Sequence, residues 1–134
     1  MTYHNSRYFA SALAAVLLVP CWGCGPTSGE LASLVAVKGK VTYKGQPVAK
    51  GIVRFEPEGY GRPATGRLQS DGTFVLGTYK EGDGVVAGSH KVTVGGFDKP
   101  LASNRALKKY GARSQSGLTA EVDSEHTDFT FELR

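Results

Sequence analysis

The chain has 134 residues, enough for one domain beside a processing segment. Hydrophobic residues make up 40% and charged residues 21%, which excludes an acidic disordered chain, and 18 Gly with 6 Pro fall short of low-complexity content. Two Cys exclude a disulfide-dense scaffold and a four-thiolate zinc site, and a net charge of +4 is too mild to point to nucleic acid.

Residues 1–23 read as an export signal. Arg7 and the amino terminus supply positive charge, and the uncharged run 9–19 (FASALAAVLLV) has the length of a signal core. A membrane-spanning helix takes about 20 apolar residues, so this run is too short to be one. Pro20 then breaks it. The following Cys21-Trp22-Gly23-Cys24 resembles a bacterial lipobox, in which a small residue precedes an acylated Cys. Gly23 before Cys24 makes Cys24 the candidate lipidation site. Cys21 and Trp22 depart from the pattern, which has Leu and a small residue there, and ordinary signal cleavage nearby is the alternative. A C-x-x-C redox pair needs a thiolate at a helix N-terminus in a βαβ unit, and no such unit is present in the sequence.

Residues 24–33 are small and polar and read as a tether; 34–134 form the domain. Val35, Val37, Gly39, Val41 and Tyr43 alternate with Lys38, Lys40, Thr42 and Lys44, which predicts a strand ending in the turn Lys44-Gly45-Gln46-Pro47. Strands are expected over 52–56, with Val53 and Phe55 inward, and over 65–69. Ser70-Asp71-Gly72 signals a hairpin into 73–79, where Phe74 and Leu76 face inward. Residues 80–88 read as a polar loop, and His90, Val92 and Val94 alternate on the next strand. The long stretch 97–117 holds a short helix near 104–110, with Ser103 as N-cap, Gly111 after its end, and Leu107 and Tyr110 on one face. Strands over 118–122 and 127–133 follow, the last with Phe129, Phe131 and Leu133 inward. Seven short strands with frequent turns predict an all-β, Greek-key sandwich.

The order of these pieces resembles a known family. Val37-x-Gly39-x-Val41, Gly45-Gln46-Pro47-Val48 and Val53-x-Phe55-x-Pro57 open the likeness. Ser70-Asp71-Gly72-Thr73-Phe74-Val75-Leu76, Gly88-x-His90-x-Val92-x-Val94 and Asp128-Phe129-Thr130-Phe131-Glu132-Leu133 continue it. The chain resembles the carboxypeptidase regulatory-like, transthyretin-like domain of small bacterial lipoproteins over about residues 35–134. The resemblance implies a transthyretin-like (prealbumin-like) sandwich without an enzymatic activity of its own, since the peptidase of the family name is a separate domain. The function expected is that of a membrane-anchored lipoprotein facing the periplasm or cell surface. Its sandwich would serve as a structural or interaction module in the cell envelope, touching an envelope protein or polysaccharide. A small-ligand or carbohydrate-binding module is the alternative.

The candidate sites are few. Tyr60, Tyr79, Phe97 and Tyr110 are the loop aromatics on which a ligand would stack. Arg105, Lys108, Lys109 and Arg113 form a basic stretch without an intervening acid, the candidate contact for an anionic surface. His90 is expected at the core edge with a hydrogen-bonded tip. Glu125-His126-x-Asp128 and Glu81-Gly82-Asp83-Gly84 carry oxygen and nitrogen ligands but lack the spacing of zinc or calcium sites. No catalytic residue, metal, cofactor or nucleic-acid partner is therefore assigned.

Overall fold

A strand that buries one face and solvates the other needs an apolar residue at every second position. In the computed structural model, which describes residues 33–134, that alternation becomes ten strands. β1 (Leu34–Val35) pairs antiparallel with β7 (Val85–Val86). One larger sheet holds β2 (Lys38–Tyr43), β3 (Gln46–Pro47), β6 (Thr73–Val75) and β10 (Asp128–Leu133), all paired to β2. The other holds β4 (Ile52–Pro57), β5 (Ala64–Arg67), β8 (Gly88–Gly95) and β9 (Leu118–Val122) in the order β5-β4-β8-β9.

The chain is an all-β sandwich, and its core lies between the two larger sheets. Val41, Phe74, Phe131 and Leu133 enter from one side; Val53, Phe55, Val92, Val94 and Val122 enter from the other. Phe55 is the centre of this contact. Its ring lies 5.6 Å from Phe129, 6.0 Å from Phe131 and 6.3 Å from Phe74 between centroids, two of the three in edge-on geometry.

The alternation locates the inward positions correctly, and three features differ from the expected seven-strand plan. The first strand is split, because the chain leaves β1 before β2 begins at Lys38, and β3 and β7 are two-residue strands too short for a periodic signal. The turn after β2 is narrower than its composition implies. Lys44 and Gly45 both have positive φ (49° and 78°), the signature of a tight primed hairpin turn, which leaves Gln46 and Pro47 in β3. The Asp71-Gly72 turn closes as expected, with Gln69 N–H donating to the Thr73 carbonyl at 2.8 Å. Its two arms join different sheets, β5 pairing with β4 and β6 with β2, yet they meet again in the register of the turn, where Thr65 and Gly77 exchange two N–H···O bonds of 2.9 Å. A sequence-local hairpin thus becomes a bridge between the sheets.

The last strand runs parallel to β2, Asp128 opposite Lys38 through Leu133 opposite Tyr43. The two strands therefore start at the same pole of the sandwich. That is also where the chain enters: Leu34 pairs with Val86, Gly61 of the β4–β5 loop packs against Val86, and Thr78 Oγ1 donates to the Gly84 carbonyl at 2.7 Å. At the opposite pole β2, β8 and β10 end. Six-residue strands rising about 3.3 Å per residue set the two poles about 20 Å apart.

Candidate functional site

The second pole is closed by the 97–117 segment. α1 (Arg105–Lys108) lies between 3-10 turns at Leu101–Ser103 and Lys109–Gly111. Its N-cap is Asn104 rather than Ser103: the Asn104 side-chain oxygen accepts from Ala106 N–H at 2.9 Å. The same side chain donates through Nδ2 to the Tyr43 hydroxyl at 2.7 Å, which ties the segment to the end of β2. The helix runs on into the second 3-10 turn, with Ala112 as its cap, so Gly111 is not a left-handed terminator. Leu107 and Tyr110 are buried in the core as their spacing predicts. The Tyr110 hydroxyl accepts from Arg134 N–H at 3.1 Å.

The basic residues of this segment separate into two groups. Arg105, Lys108 and Lys109 are exposed on the cap, and Lys109 Nζ stands 4.9 Å from the Tyr110 ring centroid. Arg113 leaves the group and pairs with Glu56 on the outer face of β4 at 3.1 Å, where Glu56 also holds Arg54 at 3.0 Å. Among the described residues Lys99, Arg105, Lys108 and Lys109 have no ion-pair partner. The one acid nearby, Asp98, pairs with Lys50 at 2.8 Å. That contact also raises the Lys50 pKa, chiefly through the hydrogen bond to Asp98.

Two clefts flank Leu101 on this cap. One, of about 290 Å³, is lined by Phe97, Asn104 and Lys108 among others; the second, of about 320 Å³, by Pro47, Lys50 and Lys99. Phe97 and Lys108, taken from the sequence as candidates for different ligands, thus line one cleft. Sequence reasoning missed Lys50, Leu101 and Asn104, because none of them carries a motif; they meet only through the fold.

The four candidate aromatics do not share a face. Tyr60, fully exposed, and Tyr79, 61% exposed, lie at the entry pole, where the Arg62 guanidinium stands 5.5 Å from the Tyr79 ring. Phe97 and Tyr110 lie at the other pole, half-buried and buried.

The acidic loops are held by turn chemistry. Asp83 accepts from the backbone N–H groups of Thr78, Tyr79 and Lys80. Burial raises its pKa, but those three bonds together outweigh it and the net direction is down. Asp123 is lowered first by the His126 ring bonded to it and then by the backbone N–H groups of His126 and Glu125. Asp71 is lowered by the Thr73 hydroxyl and N–H.

His90 is buried deeper than an edge position, 1% exposed, with its ring 5.8 Å from Phe55. Nδ1 lies 2.9 Å from the Gly88 carbonyl, which can only accept, so the proton sits on Nδ1. Nε2 is buried without a partner, so the hydrogen-bonded tip expected from the sequence is found on one nitrogen only. Burial lowers the pKa, and the Gly88 bond offsets this in part. The unfolded chain therefore takes up this proton more readily than the folded one, and stability falls as pH drops below the ordinary His value of 6.5. Asp71, Asp83 and Asp123 act in a lower window, losing their contribution as pH falls below the ordinary 3.8. We expect the urea midpoint to fall between pH 7.5 and 5.5, and His90→Leu to flatten that slope. Equal slopes in the two proteins would show that another group titrates.

No family model matches the chain, and no curated protein matches it. Among solved structures, a DUF3823 family protein from Parabacteroides merdae is similar, with a TM-score of 0.46 and 20% identity over 76% of this chain and 46% of that one. The chain thus spans less than half the length of that protein.

Proposed function

We infer that the chain is a non-enzymatic exported lipoprotein, acylated at Cys24, whose sandwich is an interaction module in the cell envelope. The finer family reading, a carboxypeptidase regulatory-like domain of transthyretin type, belongs to the same proposal. The observation that carries it is the order of segments: a signal-length apolar run, Gly23-Cys24, nine mostly polar or small residues, then β1. Residues 1–32 lie outside the described residues, so this part of the reading rests on sequence.

A multiply acylated Cys anchors stably in a bilayer, whereas one chain alone holds only marginally. Cys24→Ser is therefore expected to move the protein from the membrane to the soluble fraction, or to leave it unprocessed. The native protein should carry a lipid-modified residue 24 at its mature N-terminus by mass spectrometry. A Cys24→Ser protein that fractionates and matures like the native one would refute the anchor.

A further inference from the structure

We propose that the helical pole binds a carboxylate-bearing polysaccharide strand, seated in the two clefts on either side of Leu101. The proposal rests on the reading of the chain as an envelope interaction module and names the partner's chemistry.

Charge comes first. Lys99, Arg105, Lys108 and Lys109 crowd one cap with no ion-pair partner among the described residues, while the nearby Asp98 is engaged by Lys50. Like charges held together without counter-charge raise the local positive potential and favour an anion.

Shape selects the kind of anion. The clefts adjoin at Leu101, and each carries a lysine without an ion-pair partner among the described residues, Lys108 in one and Lys99 in the other, where Lys50 and Asp98 pair with each other. Two adjacent concavities with cations at both suit a chain whose charge repeats. A bilayer surface is flat and fills neither. Lysine is a flexible point charge that meets an anionic group from any side, so carboxylates spaced along a sugar chain can each take one lysine. Between the lysines, the half-buried Phe97 and Leu101 give an apolar floor for the C–H faces of sugar rings.

The chain enters the domain at Leu34, at the pole opposite the cap, so the cap and the point of entry face different ways.

The test uses the full lipidated protein, reconstituted in phosphatidylcholine vesicles. These are offered fluorescent polygalacturonate, uncharged dextran and, separately, phosphatidylglycerol vesicles, at low and moderate salt. Polygalacturonate should be retained at low salt and released as salt rises. Dextran should be ignored. Lys99→Glu/Lys108→Glu should weaken retention at least ten-fold with an unchanged thermal melt, and Tyr60→Ala, at the other pole, should leave it intact. Absence of retention, retention indifferent to the double change, or clustering with phosphatidylglycerol vesicles in place of polymer capture would overturn the proposal. Failure to insert into the carrier vesicles would refute the anchor alone. The same polymer immobilised on beads would then still test the cap.

Discussion

Phe55→Ala is expected to lower stability by about 3–5 kcal/mol, the cost of deleting a large aromatic from a packed core. The ring is fully buried and touches Phe74, Phe129, Phe131 and His90, so it is the residue through which the sheets hold one another. A typical domain is stable by only ~5–15 kcal/mol, so the variant is expected near the edge of folding at growth temperature. For a domain of this size about 1 kcal/mol shifts Tm by about 4–8 °C, which places the drop well above 10 °C. Phe131→Ala, on the facing sheet, should approach the same loss. Thr130→Ala, between the two inward residues of β10 and exposed, should stay within about 0.5 kcal/mol. Calorimetry on the three proteins checks this, and similar losses at Phe131 and Thr130 would refute the strand phase.

The second large effect is expected at Gly39. A Cβ there would meet the Phe129 carbonyl oxygen on the neighbouring strand, and the Phe74 ring carbon Cζ at 2.6 Å. Rotating a side chain relieves only the second clash. The first requires β10 to move away from β2, where Phe129 is registered against Gly39. Gly39→Ala should therefore cost about 3 kcal/mol or more, at or beyond the upper end of ordinary overpacking. Gly59→Ala serves as the control, because nothing lies within 4 Å of its added carbon; it should stay within about 0.5 kcal/mol. A denaturant titration of both variants decides the matter, and equal midpoints would mean that β10 is not held as closely as the geometry requires.

Gly39 also illustrates what the sequence conveys and what it withholds. The alternation from Val35 to Tyr43 marks Gly39 as inward, and it is buried. The reason for glycine there, a carbonyl of a strand some 90 positions later, is a tertiary fact with no local trace. The inward positions of β4, β8 and β10 were legible because burial on one face imposes a period of two. β7 was not, since two residues hold no period and its pairing with β1 depends on where the loops lie. The parting of the 70–72 turn into two sheets was equally hidden: turn residues specify a reversal of direction but not the sheet that each arm joins. For the cap, the basic run and the helix near 104–110 were readable, and the Leu107–Tyr110 face was correct. Its clefts were not readable, because Lys50 and Pro47 come from a different part of the chain from Phe97 and Lys108. Ser103 and Asn104 are both good caps by type, and the hydrogen bond of Asn104 to Tyr43 favours the second.

The parallel pairing of β10 with β2 bears on the order in which the molecule can be assembled. Register positions 38 and 128 lie 90 residues apart, so β2, which finds β3 and β6 earlier, meets β10 only when nearly all of the domain has been synthesised. Contacts of such long range require loop closure before they stabilise anything, and they slow folding accordingly. A chain passing N-terminus first through a narrow pore therefore cannot close this sandwich behind it. Until β10 is delivered, Phe55 and Phe74 lack Phe129 and Phe131 as neighbours, and the half-built sheet remains open to chaperones and to proteases.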